Sequence, residues 1–342
     1  MKQTIENAII VIRPTRVEQL KMRFNTRDQA KFYIKQKKVA SKQRSISLNS
    51  ANLSKGDIMM QEAAAFDEAE EEYQDYEKED TNFHDALETV KRQLSKVLKI
   101  KVLEQKYLSN YIFSDKDLVV VLGQDGLVAN TAKYAIYNPI IGINPDTNRY
   151  DGILLHFGIN NFMIGVNKVI SGNYTKEKIT MAKITLNDGQ TMLAFNDFFI
   201  GINTHSSANY TIKFNGQEER HSSSGIIVST GAGSTGWLSS LFNMANGFIQ
   251  EFEHGDKIQF KAIDRESKYL MFVVREPFVS KTSQANIIVG KIEEGKPLKI
   301  ESNMPEKGII FSDGVHKDFL DFNSGTIAEI NIAEQKAILV KP

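Results

Sequence analysis

The chain has 342 residues, room for two ordinary domains, and its 41% apolar and 25% charged residues are those of a globular protein with a sizeable core. Lys plus Arg and Asp plus Glu both number 42, so the basic surplus of a nucleic-acid binder is missing and nucleic acid is not an expected partner. With no cysteine, disulfides, thiolate nucleophiles and Cys-ligated metals are excluded, and six scattered histidines without a His-x-x-x-His pair predict no protein-held metal site.

The N-terminus, MKQTIENAIIVIRP, lacks the long apolar stretch and cleavage site of a secretion signal, and no apolar run approaches the ~20 residues of a membrane span. The expectation is a cytoplasmic, unprocessed protein with no membrane partner. A strand is predicted over residues 8–12. A polarised stretch follows: 12 Lys or Arg against two acids from Arg13 to Lys55, then 11 acids against one base from Asp57 to Asp80. This charged helical excursion, about residues 25–82, reads either as solvated helices or as an arm whose basic and acidic segments pair, within or between subunits.

Phe83, Leu87, Val90, Leu94 and Val97 then recur at helical spacing, with Thr81 or Asn82 as a possible cap. A short strand at 100–103 precedes DLVVVLG at 117–123, whose unalternated Val and Leu suit a parallel strand covered on both faces. A helix over about 128–137 and a strand, PIIGIN, ending at Asn144 complete an open, mostly parallel α/β sheet in a first domain, residues 1–158. Beyond residue 160 hairpin signals dominate, with turns at Asp188-Gly189 and Asn215-Gly216, and one helix is predicted over 238–248. Residues 159–342 form a β-rich second domain whose last segment is expected to pack back on the first.

Two loops carry candidate chemistry. In LVVVLGQDGLVANTAKY a buried strand ends in Gly123-Gln124-Asp125-Gly126 just before a helix. Ligands bind at the carboxyl ends of such strands, and glycines there let N–H groups approach phosphate oxygens. A lone carboxylate among those glycines, Asp125, suits a magnesium ligand or a base that takes a proton from an attacking hydroxyl, or else a plain Gly-Asp turn. No G-x-x-x-x-G-K-[ST] occurs, which excludes P-loop phosphoryl transfer. The second loop, in SSSGIIVSTGAGSTGWLSS, is a literal G-x-G-x-x-G, but it lies in the β-rich half with no βαβ unit after it. What remains is a set of N–H groups and hydroxyls, from Ser229, Thr230, Ser234 and Thr235, suited to a polar ligand.

In order along the chain, GQDGL, the segment INPDTNRYDGILLHF with its preceding Gly142, FNDFFIG, SSGIIVSTGAGSTGW, and finally VREPFVS with FSDGVHKDFLDFNSGTIAEI resemble the motifs of the NAD kinase family, most closely its mitochondrial-type branch. The resemblance is collinear over about residues 8–24 and 83–335. It implies transfer of the γ-phosphoryl of ATP, with Mg²⁺, to the adenosine 2′-hydroxyl of NAD, and an α/β domain facing a β-rich one. Asp125 would be the general base. Gly123 and Gly126 would line the phosphate loop. Asn196 and Asp197 would hold the dinucleotide beside Thr230, Gly233, Ser234 and Thr235. Homo-oligomers, a homodimer for instance, are implied as well. Gln124 and Leu127 depart from the family's G-G-D-G-T, which implies a more crowded loop with one hydroxyl fewer. Related kinases of sugars or lipids, and a non-catalytic nucleotide binder, remain alternatives.

Overall fold

The computed structural model describes residues 4–24, 26–49, 55–252 and 255–342; residues 25 and 50–54 of the charged excursion, and His254, lie outside the described residues. The first half runs β1 (Asn7–Ile12), α1 (Arg16–Phe24), α2 (Arg27–Asn49), α3 (Lys55–Leu94), β2 (Lys99–Glu104), β3 (Asp117–Leu122), α4 (Asp125–Ala132), β4 (Pro139–Asn144), β5 (Phe157–Gly158) and α5 (Phe162–Ser171). Strands β2, β1, β3 and β4 lie side by side and parallel. Alternate residues serve the two faces: Ile9, Val11, Val119 and Val121 pack with α4, whereas Ala8, Ile10, Leu118 and Val120 pack with α3 and α5. The double cover explains why β3 and β4 are apolar without alternation.

The second half adds β6 (Thr175–Leu186), β7 (Thr191–Ala194), β8 (Asp197–Ile202), β9 (Ala208–Phe214), β10 (Gln217–Ser223), β11 (Ile226–Ser229), α6 (Trp237–Glu251), β12 (Tyr269–Val274), β13 (Val289–Glu293), β14 (Leu298–Ser302), β15 (Gly308–Ser312), β16 (Phe319–Asp321) and β17 (Ile327–Lys341). Six of these strands form a sheet in the order β13-β12-β11-β8-β15-β16, antiparallel throughout. The others extend the first sheet, because β17 pairs with β14 and β6 antiparallel and with β4 parallel. A core of Phe198, Tyr210, Phe272, Phe322 and their neighbours fills the space between the sheets. Both expected hairpins form, β6–β7 and β9–β10. Asn215 and Gly216 turn the second with φ of 51° and 78°, as a two-residue turn of that hand requires.

Four helices differ from the sequence reading. Helix α5, Phe162–Ser171, falls in the β-rich half, where only the helix at 238–248 was expected, and its Phe162, Val166 and Val169 pack on the parallel sheet. Thr81 and Asn82 cap nothing: α3 runs unbroken for 40 residues, and the Thr81 hydroxyl donates to the Glu77 carbonyl instead. No Gly or Pro after Gly56 interrupts its ladder of helix formers. Its C-terminal part is anchored in the core of the parallel sheet through Phe83, Leu87, Val90 and Leu94, each side chain contributing about 1.5–3 kcal/mol. The acidic N-terminal part pairs with α2 within the chain, through Lys31–Glu70, Lys35–Glu70 and Lys38–Glu72. Helix α4 starts three residues earlier than expected and stops at Ala132, which puts Asp125 in its first turn after an extended Gln124. Helix α6 is longer than expected, by one residue at its start and three at its end.

Candidate active site

The carboxyl end of β3 faces the start of β8 and the end of β11, the two central strands of the antiparallel sheet, across a cavity of ≈ 240 Å³. Asp125 and Gly126 line one side, with Ile153 and Leu154; Asn196, Asp197, Gly233 and Thr235 line the other, and Arg265 stands beside them. Six of the nine residues singled out in the sequence therefore meet in one place.

Asp125 is oriented by a loop, not by another side chain. Its two carboxylate oxygens accept N–H bonds from Ile153 at 3.0 Å and Leu154 at 2.8 Å. That loop is organised from the end of β4: Asn144 donates to the Tyr150 carbonyl and accepts from the Asp146 N–H. A carboxylate has about four acceptor positions, so each oxygen can accept a further bond from a ligand hydroxyl.

The opposite wall is tied from behind. Thr230 donates to the Phe195 carbonyl at 2.6 Å, and its N–H donates to the Asn196 carbonyl. Ser234 donates to the Gly231 carbonyl and accepts from the Ile263 N–H. Both residues are fully buried, so their hydroxyls shape the loop and do not line the cavity. The glycines between them have a packing reason: a Cβ on Gly231 would meet the Asp264 carbonyl oxygen at 2.0 Å, and one on Gly233 the Asn196 carbonyl oxygen at 2.2 Å. Asn196, Asp197 and Thr235, by contrast, have no side-chain partner among the described residues and face the cavity.

Asp313 was missed by the sequence reading. Its side chain, 2% exposed, accepts the N–H groups of Phe195, Asn196 and Asp197, at 2.6 Å for Asn196, and pairs with buried Lys133 at 3.5 Å. Lys133 also donates to Ser312 at 2.8 Å. Burial and the Asp313 charge push the Asp197 carboxyl up to about 7. Burial raises Asp313 too, against the pull of Lys133 and the three N–H donors. Near neutral pH Asp197 therefore stands between accepting and donating a hydrogen bond. The Ser-Asp-Gly turn after β15 was the available signal for Asp313; nothing local marks Lys133 as its partner. Arg265, from an irregular segment, pairs with Glu177 at 3.5 Å and carried no signal.

Gly123 lies elsewhere. With Gln124, Arg13, Pro14 and Asp146 it lines a neighbouring crevice narrowed to ≈ 30 Å³ by Glu79 and Phe83 of α3. The helix is held there by Tyr150 donating to Glu79 at 2.8 Å, Asn82 donating to Asp146 at 3.0 Å and a forked Arg149–Asp75 pair. Of the two departures in the loop, Gln124 is extended backbone that needs no glycine, and Leu127 is buried in the core. Trp237 stacks on Phe199, interplanar angle 6°, outside the main cavity.

No family model matches the chain. An NAD kinase of Clostridium kluyveri is 31% identical over 171 residues, 48% of this chain and 58% of that protein. One from Saccharolobus islandicus is 26% identical over 152 residues, 44% of this chain and 59% of that protein. The chain thus spans under two thirds of the length of these curated relatives. Among solved structures, an NAD kinase from Archaeoglobus fulgidus in complex with ATP superposes with a TM-score of 0.52 at 19% identity, covering 75% of this chain and 89% of that one. Yeast NADH kinase complexed with NADH gives 0.51 at 16% identity, covering 72% and 67%. The fold is that of the NAD kinases. Within that fold the chain keeps the α/β domain with its mostly parallel sheet and the β-rich domain beyond it.

Proposed function

We propose that the protein is an ATP-dependent NAD kinase that transfers the γ-phosphoryl of ATP to the adenosine 2′-hydroxyl of NAD. The catalytic loop would belong to a domain of residues 1–158 and the acceptor wall to residues 159–342. One observation carries the reading: Asp125 and three unpartnered polar side chains, Asn196, Asp197 and Thr235, face the same cavity. The cavity is smaller than the roughly 300–1,000 Å³ of typical ligand sites, so it seats part of a dinucleotide, with the remainder along its open mouth.

In the reaction Asp125 accepts the proton of the acceptor hydroxyl as that oxygen attacks the γ-phosphorus in line, and ADP leaves. Most of the acceleration comes from alignment of the two reactants and neutralisation of charge on the transferred group. A magnesium ion carried in with the triphosphate fits an all-oxygen donor set. Asp125 keeps free acceptor positions, and Asp146 lines the crevice beside Gly123; Mg²⁺ is commonly held by one or two carboxylates plus phosphate. It would offset negative charge on the phosphates. The segment 142–156 extends the reading to the mitochondrial-type branch, and the family resemblance alone suggests a homodimer, proposed here as cytoplasmic.

Purified protein with ATP, Mg²⁺ and NAD, coupled to an NADP-specific dehydrogenase, tests the reaction. Asp125→Asn should lower kcat by about 10²–10⁴-fold while NAD binding by calorimetry persists. Undiminished kcat in that variant rules out the mechanism.

A further inference from the structure

We propose that Glu18, Asp80 and His84 form a binding site for one zinc ion at the root of the charged arm, where α1 packs against α3. The inference is independent of the reaction proposed above: these residues lie outside the acceptor cavity, and the test reads bound metal, not turnover.

Asp80 and His84 stand one turn apart on α3, the i, i+4 spacing that brings two side chains to one point. A carboxylate thus takes the place of the first histidine in a His-x-x-x-His pair, and the third ligand comes from α1, distant in the chain. For that reason the histidines alone predict no protein-held metal. In the fold, His84 Nε2 lies 3.4 Å from Glu18 Oε1 and 3.5 Å from Asp80 Oδ1, and the three atoms are within 4.8 Å of one another. Both separations exceed the roughly 2.7–3.2 Å of an N–H···O hydrogen bond. They match the edge of a zinc tetrahedron, about 3.3–3.4 Å for bonds of about 2.0–2.1 Å. A proton on Nε2 serves one oxygen at a time, whereas a cation between the three atoms draws on all of them together.

Thr15 orients both carboxylates. Its N–H donates to Glu18 Oε2 at 2.9 Å and its hydroxyl accepts the Glu18 N–H at 3.2 Å, the capping box of α1. The same hydroxyl donates to Asp80 Oδ1. Glu18 therefore has one oxygen engaged in the cap and the other turned towards His84. Arg27, the nearest competing cation, stands 3.9 Å from Asp80 Oδ2, the oxygen that His84 does not approach. The His84 ring is set edge-on to Phe83, itself anchored in the core. Carboxylates hydrogen-bonded from behind and a ring fixed by packing are what keep a ligand set in place.

The ligand set also selects the metal. Imidazole with two carboxylates suits zinc, whereas Mg²⁺ and Ca²⁺ favour oxygen throughout. Three protein ligands leave a fourth position for water, and the partial exposure of His84 and Glu18 gives the ion a way in. Asp80 is the neighbour of Glu79, a wall of the narrow crevice beside Gly123. A zinc ion here ties α3 to α1 at the level of that crevice and fixes the base of the α2–α3 pair.

Protein stripped with EDTA and titrated with zinc chloride, in an excess of Mg²⁺, should bind one ion per chain by calorimetry, with a melting temperature that rises with occupancy. Glu18→Gln, which keeps the cap, and His84→Gln should each lower the affinity by at least about 100-fold. Thr15→Val, which keeps all three ligands, should lower it by about 10–100-fold, and Thr15→Ser should restore it. His205→Gln, at an exposed histidine elsewhere, should bind as the native protein does. No zinc on the native protein, or equal affinity in the native and His84→Gln proteins, overturns the proposal. Should the variants fail to fold, X-ray absorption of the zinc-loaded native protein decides. An imidazole nitrogen and oxygens at about 2.0–2.2 Å support the site, and an all-oxygen shell overturns it.

Discussion

On the α/β side of the cavity, Asp125 is held by two amides of a single loop, and Gly126 next to it is exposed. On the β side, residues 195–197 and 230–236 are fixed by Thr230, Ser234, Asp313 and two glycines that have no room for a Cβ. The carboxylate proposed to do chemistry thus sits on the wall that can adjust, and the groups proposed to recognise the acceptor sit on the wall that cannot. Recognition needs fixed geometry before the ligand arrives, whereas a proton acceptor has only to reach its hydroxyl when both substrates are present.

The hardest test of that contrast is Asp313→Asn, which leaves the Lys133 ammonium buried without its counter-charge. Stability should fall by about 3–5 kcal/mol in chemical denaturation, and the KM for NAD should rise more than that for ATP. A loss below about 1 kcal/mol would mean that the wall is not held from this point. Titration probes the same wall through Asp197. Its folded carboxyl binds a proton more tightly than the unfolded one, so its stabilising contribution is complete below pH 3.8 and is lost as pH rises to about 7. Relative to Asp197→Asn, the native protein should therefore lose stability between about pH 4 and pH 7; parallel curves would rule out the raised carboxyl. Gly233→Ala presses a methyl group onto the Asn196 carbonyl and should cost about 1–3 kcal/mol, with weakened NAD binding. A thermal melt and a calorimetric titration check both parts. The smallest effect is expected on the adjustable side. Arg149→Ala cuts a partly exposed pair with Asp75 and should change stability by no more than about 1 kcal/mol, less still at high salt.

What could be read from the sequence was local or periodic. DLVVVLG and PIIGIN announce covered parallel strands, Asn215-Gly216 announces its hairpin, and the glycines around Asp125 and Gly233 announce loops at strand ends. Long-range partnership was not legible. Lys133 and Asp313 are 180 positions apart, and each alone reads as a surface charge. Whether a hydroxyl faces a ligand or a backbone carbonyl depends on burial, which is why Thr230 and Ser234 looked like Thr235 in the sequence and differ from it in the fold. The length of α3 was hidden for another reason: before the docked C-terminal part its buried stripe thins to Ala65, Ala69 and Tyr73, and that stretch is continued by propensity and by pairing with α2.

Strand β17 has a consequence for how the molecule comes into being. Among the described residues it is the one strand hydrogen-bonded to both the parallel and the antiparallel parts of the large sheet, meeting β4 at Ile338 and Leu339 and β14 at Leu298 to Glu301. Every strand of the parallel part precedes it in the chain, so β4 is made long before its partner and its border along Pro139 and Ile140 stays bare until β17 arrives. Nascent chains stalled before residue 327 should consequently be sticky and protease-sensitive, and emergence of the fifteen-residue β17 should close the gap in a single step.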